Sequence, residues 1–289
     1  MDIYVRPGDS FWYYSQLFRI PLQLIIDSNR NINPQTIQQG QRIQIPAYVA
    51  QNYQIKSGDS LWSIAMSRNL PLDTLFLINP NLNPNRLQIG QTIQVPLRIT
   101  WRLVNGKQNY TYEVMMNDIQ RLQTVYPFLQ VSSIGNSVLN RSIPEVLIGI
   151  GDKRVAYNGS FHANEWITTP TIMTFLNDYA LSLTNQTTIR GLITSPLYEQ
   201  TSLSIVPMVN PDGVNLVLNG PPELEPYRSN VIEWNNNSLN FSGWKANING
   251  VDLNDQFPAQ WEKERDRNPK TPGPRDYGGE SPLSQPEAI

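Results

Sequence analysis

The chain has 289 residues, 39% of them hydrophobic and 10% aromatic, with a formal net charge of −2 and no cysteine. That composition describes folded protein of two or three domains, and it excludes a disulfide framework, a thiol nucleophile, a thiolate metal site and a broad basic surface for nucleic acid. No apolar run approaches the ~18 residues of a membrane span, and the opening MDIYVRPGDS has neither the basic nor the apolar region of an export signal.

From the N-terminus the chain repeats itself at an offset of 50 residues. Pro7-Gly8-Asp9-Ser10 falls on Ser57-Gly58-Asp59-Ser60, Trp12 on Trp62, Asn29 on Asn79, Pro34 on Pro84, Gly40-Gln41 on Gly90-Gln91, Ile43 on Ile93 and Pro46 on Pro96. So many matches in one register mark a duplicated unit. Each copy reads as a strand (Ile3 to Val5; Tyr53 to Ile55), a Gly-Asp-Ser turn, two short helices and a closing strand (Thr92 to Val95 in the second copy). Ala47 to Asn52 reads as a short linker. Glycine suits the turn backbone, and Asp or Ser can cap the helix that follows. Leu61, Ile64 and Ala65 share one helical face, and Leu72, Leu75, Phe76 and Ile78 another. A unit of about 45 residues needs large side chains to make a core, which assigns Trp12 and Trp62 to the interior.

This βααβ pattern, with Gly58-Asp-Ser-Leu-Trp62 and the closing Ile93-Gln-Val-Pro96, resembles the LysM family over nearly all of residues 2 to 97. Repeat boundaries of 2–47 and 52–97 follow. The resemblance implies binding of N-acetylglucosamine-containing glycans, peptidoglycan or chitin, between the first turn and the loop before the last strand. In the first copy those positions are Gly8, Asp9, Ser10 and Phe11 with Asn31, Ile32 and Asn33. In the second they are Gly58, Asp59, Ser60 and Leu61 with Asn81, Leu82 and Asn83. Turn amides and Asn side chains suit acetamido groups, and apolar residues suit sugar rings. The same Gly and Asp also make an ordinary turn and cap, and the residues alone leave both roles open. Two sites on a short linker gain from effective concentration on a polymeric glycan.

Beyond Tyr110 strands alternate with helices, the α/β signature. Met115, Ile119, Leu122 and Val125 mark a helix, and Val146 to Ile150 and Val155 to Asn158 read as buried strands. Thr169 to Tyr179 reads as a helix with Ile172, Phe175, Leu176 and Tyr179 inward, and Leu203 to Val209 as a further strand. The only histidine, His162, follows the second of these strands in Gly159-Ser-Phe-His-Ala-Asn-Glu165. A His and a Glu three residues apart can turn a nitrogen and a carboxylate toward one ion such as zinc. The spacing alone equally describes a surface pair or a core histidine. Asn210-Pro-Asp-Gly213 reads as turn scaffolding, and Ser284-Gln-Pro-Glu287 as a capping box that opens a helix.

Four ordered segments change the odds for His162: Gly135-Asn-Ser137 with Arg141-Ser-Ile143, Tyr157-Asn-Gly159-Ser-Phe-His162, Pro207-Met-Val-Asn210-Pro-Asp-Gly213, and Gly250-Val-Asp252-Leu-Asn254. Together they resemble the zinc carboxypeptidase (carboxypeptidase A-like) family from about residue 110 onward, placing a domain at 100–289. The expected fold class is therefore multidomain: two α+β LysM repeats, then an incomplete α/β domain with a mixed sheet. The resemblance implies zinc as cofactor, His162 and Glu165 as ligands, Asp252 as the carboxylate that hydrogen-bonds the ligand histidine, and Asn254 on the substrate. Three positions depart from the family. Asn164 replaces an Arg within His-x-x-Glu, Asp255 replaces the Arg that clamps a substrate carboxylate, and Lys245 stands in register with the oxyanion-stabilising Arg. Losing guanidiniums and gaining a carboxylate argues against cleavage at a free C-terminus. The Asp-for-Arg form is similar to the γ-D-glutamyl-diamino acid endopeptidases of spore-forming bacteria, which also carry LysM pairs. The family's third ligand histidine and catalytic glutamate have no counterpart up to Ile289. No catalytic base is assigned within this chain; one is expected beyond Ile289, and the chain reads as truncated and inactive as it stands.

The expectation is a peptidoglycan-binding zinc peptidase with no nucleic-acid partner and no membrane span. The alternatives are a glycan-binding protein with a degenerate peptidase scaffold and a chitin-targeted protein. With no signal peptide, the compartment lies between the cytoplasm of a sporulating cell and the spore or cell wall.

Overall fold

The first repeat runs β1 (Asp2–Tyr4), α1 (Phe11–Phe18), α2 (Leu22–Asp27), β2 (Arg42–Gln44), and the second β3 (Tyr48–Gln54), α3 (Leu61–Met66), α4 (Asp73–Ile78), β4 (Thr92–Arg98) in a computed structural model that describes residues 1–289. β1 pairs antiparallel with β2, and β3 with β4. Gly8 and Gly58 turn at φ +83° and +82°, which any Cβ would strain. Ser10 then caps α1 by accepting from the Tyr13 amide at 3.1 Å, and Ser60 and Ser63 form a capping box on α3. Asn29 accounts for its own recurrence as Asn79. In each repeat the amide group donates to the preceding helix (Ile25 and Leu75 carbonyls) and exchanges both of its bonds with the closing strand at Gln44 or Gln94. Buried Asn is stable only when so satisfied.

Two expectations fail here. Trp12 and Trp62 are 63% and 62% exposed, not core. The interior is made instead by Phe11, Tyr14, Leu17 and Phe18 in α1 and by Leu61, Ile64 and Ala65 in α3, and each Trp sits one position out of phase with its helix's buried stripe. The supposed linker is also not one, because Tyr48 already pairs with Arg98 and the β3–β4 ladder continues unbroken to Gln54. Tyr48 is buried, with its hydroxyl donating to the Phe18 carbonyl.

The remaining elements are α5 (Tyr112–Val125), β5 (Gln130–Asn136), β6 (Ser142–Ile148), β7 (Lys153–Asn158), α6 (Thr168–Asn185), the two-residue strands β8 (Thr188–Ile189) and β9 (Leu192–Ile193), α7 (Ser195–Gln200), β10 (Thr201–Val206), α8 (Pro211–Asn219), α9 (Tyr227–Trp234) and α10 (Trp261–Arg267). By contacts the chain divides into Met1–Arg102, Arg121–Leu129 and Asp178–Pro196 as one unit, and Leu103–Gln120, Gln130–Asn177 and Leu197–Ile289 as the other. The second unit holds a four-stranded sheet in the order β5-β6-β10-β7, with β10 antiparallel to β6 and parallel to β7, hence mixed. In α5, Met115, Ile119, Leu122 and Val125 are all buried. In α6 the buried stripe is Met173, Leu176, Tyr179, Ala180 and Leu183, so Phe175 points out, against expectation. β7 is likewise not a buried strand. It closes one end of the sheet with β10 as its neighbour, and five of its six residues are exposed.

Asn210-Pro-Asp-Gly213 is a helix start rather than a turn. Asn210 caps α8 by accepting from the Gly213 amide at 3.0 Å, and Pro211 occupies the first turn, where its missing N–H costs nothing. The capping box at Ser284 does not form. The Ser284 amide and hydroxyl both donate to Gln256 Oε1, and the buried Glu287 carboxylate accepts from the Val138 amide and Asn247 Nδ2. Only the 3₁₀ turn Pro286–Ala288 follows.

Candidate functional site

β7 delivers the chain to a 3₁₀ turn, Ala163–Glu165, with His162 at its head. Three contacts tie together this turn, the residues before it and the segments beneath them. The Ala163 amide donates to the Lys245 carbonyl at 3.0 Å, the Asn210 amide donates to the Ser160 carbonyl at 3.0 Å, and Asn210 Nδ2 reaches the Ala246 carbonyl at 3.1 Å. Gly213 is needed at this crossing: a Cβ there would lie 2.7 Å from the Ala163 Cβ and 2.6 Å from Asn210 Oδ1. Asp212, wholly buried, ties the Leu139–Arg141 segment to the same scaffold by accepting from Arg141 Nη1 and the Leu139 amide, each at 2.8 Å.

On this base His162 meets two carboxylates. Its Nδ1 lies 3.1 Å from Glu165 Oε1 and its Nε2 3.1 Å from Asp252 Oδ1. Tetrahedral zinc with bonds of about 2.0–2.1 Å sets neighbouring donors about 3.3 Å apart. Nδ1 and Glu165 therefore have the spacing of two adjacent zinc donors. Glu165 is half exposed, whereas Asp252 is 1% exposed, which gives the ring one outward and one inward partner. No group of three His, Cys, Asp or Glu side chains is arranged to hold a metal ion, because Glu165 and Asp252 lie on opposite nitrogens of the His162 ring.

Asp252 is the hub of the site. Oδ1 accepts from His162 Nε2 and the Asn254 amide (3.2 Å), and Oδ2 accepts from the Asp276 amide (3.1 Å) and faces Lys245 Nζ at 3.2 Å. Burial pushes its carboxyl upward, but the Asp276 amide, Lys245 and His162 together hold it below the usual range. Lys245 is affected in the opposite sense. Burial lowers its ammonium, and the carboxylates of Asp252 and Asp276 outweigh that and raise it, so it stays charged. The contacts of Lys245 and Asp276 with Asp252 carry no sequence signal, since Asp276 lies 24 residues further on.

The other named positions are less concentrated. Asn254 is exposed. Asp255 is partly buried, accepts from Asn268 Nδ2 at 2.9 Å, and has its carboxyl raised by burial and by Asp252. Asn164 Oδ1 is buried without a hydrogen-bond partner. In the repeats, Phe11 and Leu61 are core residues at 2% and 4% exposure and cannot lie on a sugar, because each anchors its helix to the repeat interior. Gly8, Asp9, Ser10, Gly58, Asp59 and Ser60 form the surface turns. Asn33 and Asn83 spend their side-chain oxygens on the amides two residues on, at 2.9 and 3.0 Å. Asn31 and Asn81 are exposed and Ile32 and Leu82 half-buried. Asn81 and Leu82 line a shallow cavity of about 290 Å³ with Asn79, Pro80 and Gln91 to Ile93. No helix of the chain is long and apolar enough to cross a membrane.

The mixed sheet, the His162 turn and its buried Asp252 are the frame of a metallopeptidase of the carboxypeptidase type, and the zinc carboxypeptidase family profile matches residues 115–289. The chain belongs to that family, which uses zinc, and carries two LysM domains at residues 3–46 and 53–96. Along all 289 residues it is 76% identical to gamma-D-glutamyl-L-diamino acid endopeptidase 1 of Lysinibacillus sphaericus, 73% of whose length it spans. It is 43% identical over 196 residues, 67% of this chain and 52% of the relative, to the uncharacterized protein YqgT of Bacillus subtilis strain 168. Among solved structures, bovine thrombin-activatable fibrinolysis inhibitor in complex with tick carboxypeptidase inhibitor aligns at 17% identity over 63% of this chain and 54% of that one, with a TM-score of 0.44.

Proposed function

We propose that the protein is a peptidoglycan-binding zinc peptidase that cuts the γ-D-glutamyl-diamino acid bond of muropeptides, with the LysM repeats holding it on the glycan. The observation that carries this reading is the 76% identity, unbroken through both LysM repeats and the peptidase segment, to a relative named for that activity. Zinc, when bound, polarises a scissile carbonyl and lowers the pKa of a bound water. His162 Nδ1 and Glu165 would hold it, and Asp252, by accepting from Nε2–H, keeps the imidazole in the tautomer that leaves Nδ1 free to ligate. Lys245 supplies the positive charge beside the reacting carbonyl, steadied by Asp252 and Asp276. Asp255 places a carboxylate where relatives clamp a carboxylate with Arg, which selects a cationic amine on the substrate and repels a free C-terminus. The turns at Gly8 and Gly58, with the Asn31 and Asn81 loops, take the acetamido groups of the glycan.

A second reading, a wall-glycan-binding protein without hydrolysis, is favoured by the two-donor metal set, since catalytic zinc typically has three protein ligands and water. On its own the 289-residue chain is accordingly expected to bind wall material and to turn over little. The experiment is release of diaminopimelate from L-alanyl-γ-D-glutamyl-diaminopimelate with zinc added, for the 289-residue chain and for a form extended to the length of the Lysinibacillus relative. Zinc-dependent release by the long form that Asp255→Arg depresses is the expected result. No release by either form, with retention on insoluble peptidoglycan intact, would favour the binding-only reading.

A further inference from the structure

Arg6, just after β1, is bound in two directions. Its Nε and Nη2 donate to the two oxygens of Asp9 at 3.1 and 3.3 Å, while Nη1 and Nη2 donate to Asp73 at 2.9 and 2.5 Å. The Tyr13 hydroxyl adds a bond to Asp73 at 2.6 Å, and the Tyr14 hydroxyl one to Asp9 at 2.9 Å. Asp9 belongs to the Gly-Asp-Ser turn of the first repeat, whereas Asp73 opens α4 in the second. α4 also packs against β1 and α1 of the first repeat.

The duplication makes this contact informative, because it has no mirror. At the offset of 50, Lys56 stands for Arg6, Ser63 for Tyr13 and Ile64 for Tyr14, and Gln23 stands where Asp73 would be. Asp59, the counterpart of Asp9, is held from within its own repeat by the Lys56 amide and the Tyr53 hydroxyl, both at 2.8 Å. Asp9 has the equivalent internal bonds, from the Arg6 amide at 3.1 Å and the Tyr14 hydroxyl at 2.9 Å, and the first turn alone adds a guanidinium brace anchored in the other repeat. A guanidinium offers its donors in one rigid plane, so a carboxylate gripping one edge fixes the direction of the other. Without Asp73, Arg6, a third exposed, is able to swing toward solvent, leaving Asp9 only the Arg6 amide at 3.1 Å and the Tyr14 hydroxyl.

We propose that Asp73 of the second repeat is a positioning residue for the glycan groove of the first, holding the Gly8–Ser10 turn in its binding shape through Arg6. The inference rests on the glycan-groove reading given above. It replaces the picture of two independent modules on a tether with an ordered pair. The second groove works by itself, and the first depends on the second repeat for preorganisation. Removing the second repeat then disables the first groove as well as abolishing avidity.

The test uses the full chain labelled with ¹⁵N-glycine and titrated with the N-acetylglucosamine tetramer, so that the Gly8 and Gly58 amides report the two grooves separately. Asp73→Asn is expected to weaken the titration seen at Gly8 about fivefold, the factor equivalent to a partly exposed ion pair of about 1 kcal/mol, and to leave Gly58 unmoved. Asp73→Glu, which keeps the carboxylate, recovers most of the loss. If the wild-type chain saturates at neither glycine, the glycan-groove reading fails and this inference with it. If both glycines titrate and Asp73→Asn leaves Gly8 unchanged, the positioning role alone is overturned. Should Asp73→Asn also lose the Gly58 titration, Arg6→Lys makes the same comparison with the charge kept. Loss at Gly58 in both variants would show an obligate folding pair and would also overturn it.

Discussion

Asp252→Asn is the sharpest perturbation of the candidate centre, because it changes one atom in a hub with four donors. Oδ1 faces His162 Nε2 and the Asn254 amide, and Oδ2 faces Lys245 Nζ and the Asp276 amide. An amide supplies one acceptor and one donor, so whichever way it turns, its NH₂ opposes two N–H groups. Each buried donor left unpaired costs about 1–3 kcal/mol, and the partly hydrated Lys245 lies at the low end of that range. The sum is about 2–4 kcal/mol, which for a unit of this size lowers the melting temperature by about 5–15 °C. Zinc affinity should fall about 10- to 100-fold, because Nε2–H loses the acceptor that fixes its tautomer. Differential scanning calorimetry and zinc competition against a chromogenic chelator read the two effects, with Asp276→Asn as a control that retains its backbone amide. A melting temperature within about 2 °C of wild type, or unchanged zinc affinity, would refute the hub role.

Two other outcomes follow from the fold. Trp12→Ala and Trp62→Ala, being exposed on their helices, should change stability by less than about 0.5 kcal/mol yet reduce sedimentation of the full chain with insoluble peptidoglycan; destabilisation with retention intact would return them to a core role. Burial holds the Glu287 carboxyl above the usual range, so Glu287 takes up a proton more readily folded than unfolded. Its contribution is fullest below the ordinary glutamate pKa and is lost as pH rises through the folded value. Glu287→Gln, which keeps an acceptor for the Val138 amide, should therefore gain on wild type in melting temperature as pH rises above the ordinary glutamate pKa, and a difference flat with pH contradicts this.

Much of the fold was legible because it is local. The duplication at 50 residues, the glycine turns and the serine caps are short-range chemistry written twice. Where the structure departs from the sequence pattern, helical phase outweighs residue type. Trp12 and Trp62 follow the first buried residue of their helices by one position, so the same 3.6-residue period that placed Leu61, Ile64 and Ala65 inside puts Trp62 outside. Phe175 failed for the same reason. Asn-Pro at 210–211 carries the cap-then-proline signature of a helix start, which turn chemistry overshadowed. The β-forming Tyr48 and Val49 signalled that the supposed linker was strand. In the site, the His162–Glu165 spacing is readable within one turn. The approach of Asp252, 90 residues away, was legible only through family resemblance, and the Lys245, Asp276 and Asn268 contacts not at all, since they depend on how loops close. Arg6–Asp73 breaks the repeat symmetry and is invisible to any comparison of one copy with the other.

The measurement that bears most directly on the metal assignment uses the fact that His162 is the chain's only histidine. Its two ring nitrogens give one pair of ¹⁵N resonances, and zinc can be titrated while both are watched. Nε2 should carry the proton, held by Asp252, and Nδ1 should be the nitrogen that moves when zinc is added, with the response diminished in Glu165→Ala. A zinc response at Nε2, a neutral ring protonated on Nδ1 in the zinc-bound state, or no response at millimolar zinc would contradict the assignment of His162 and Glu165 as metal donors.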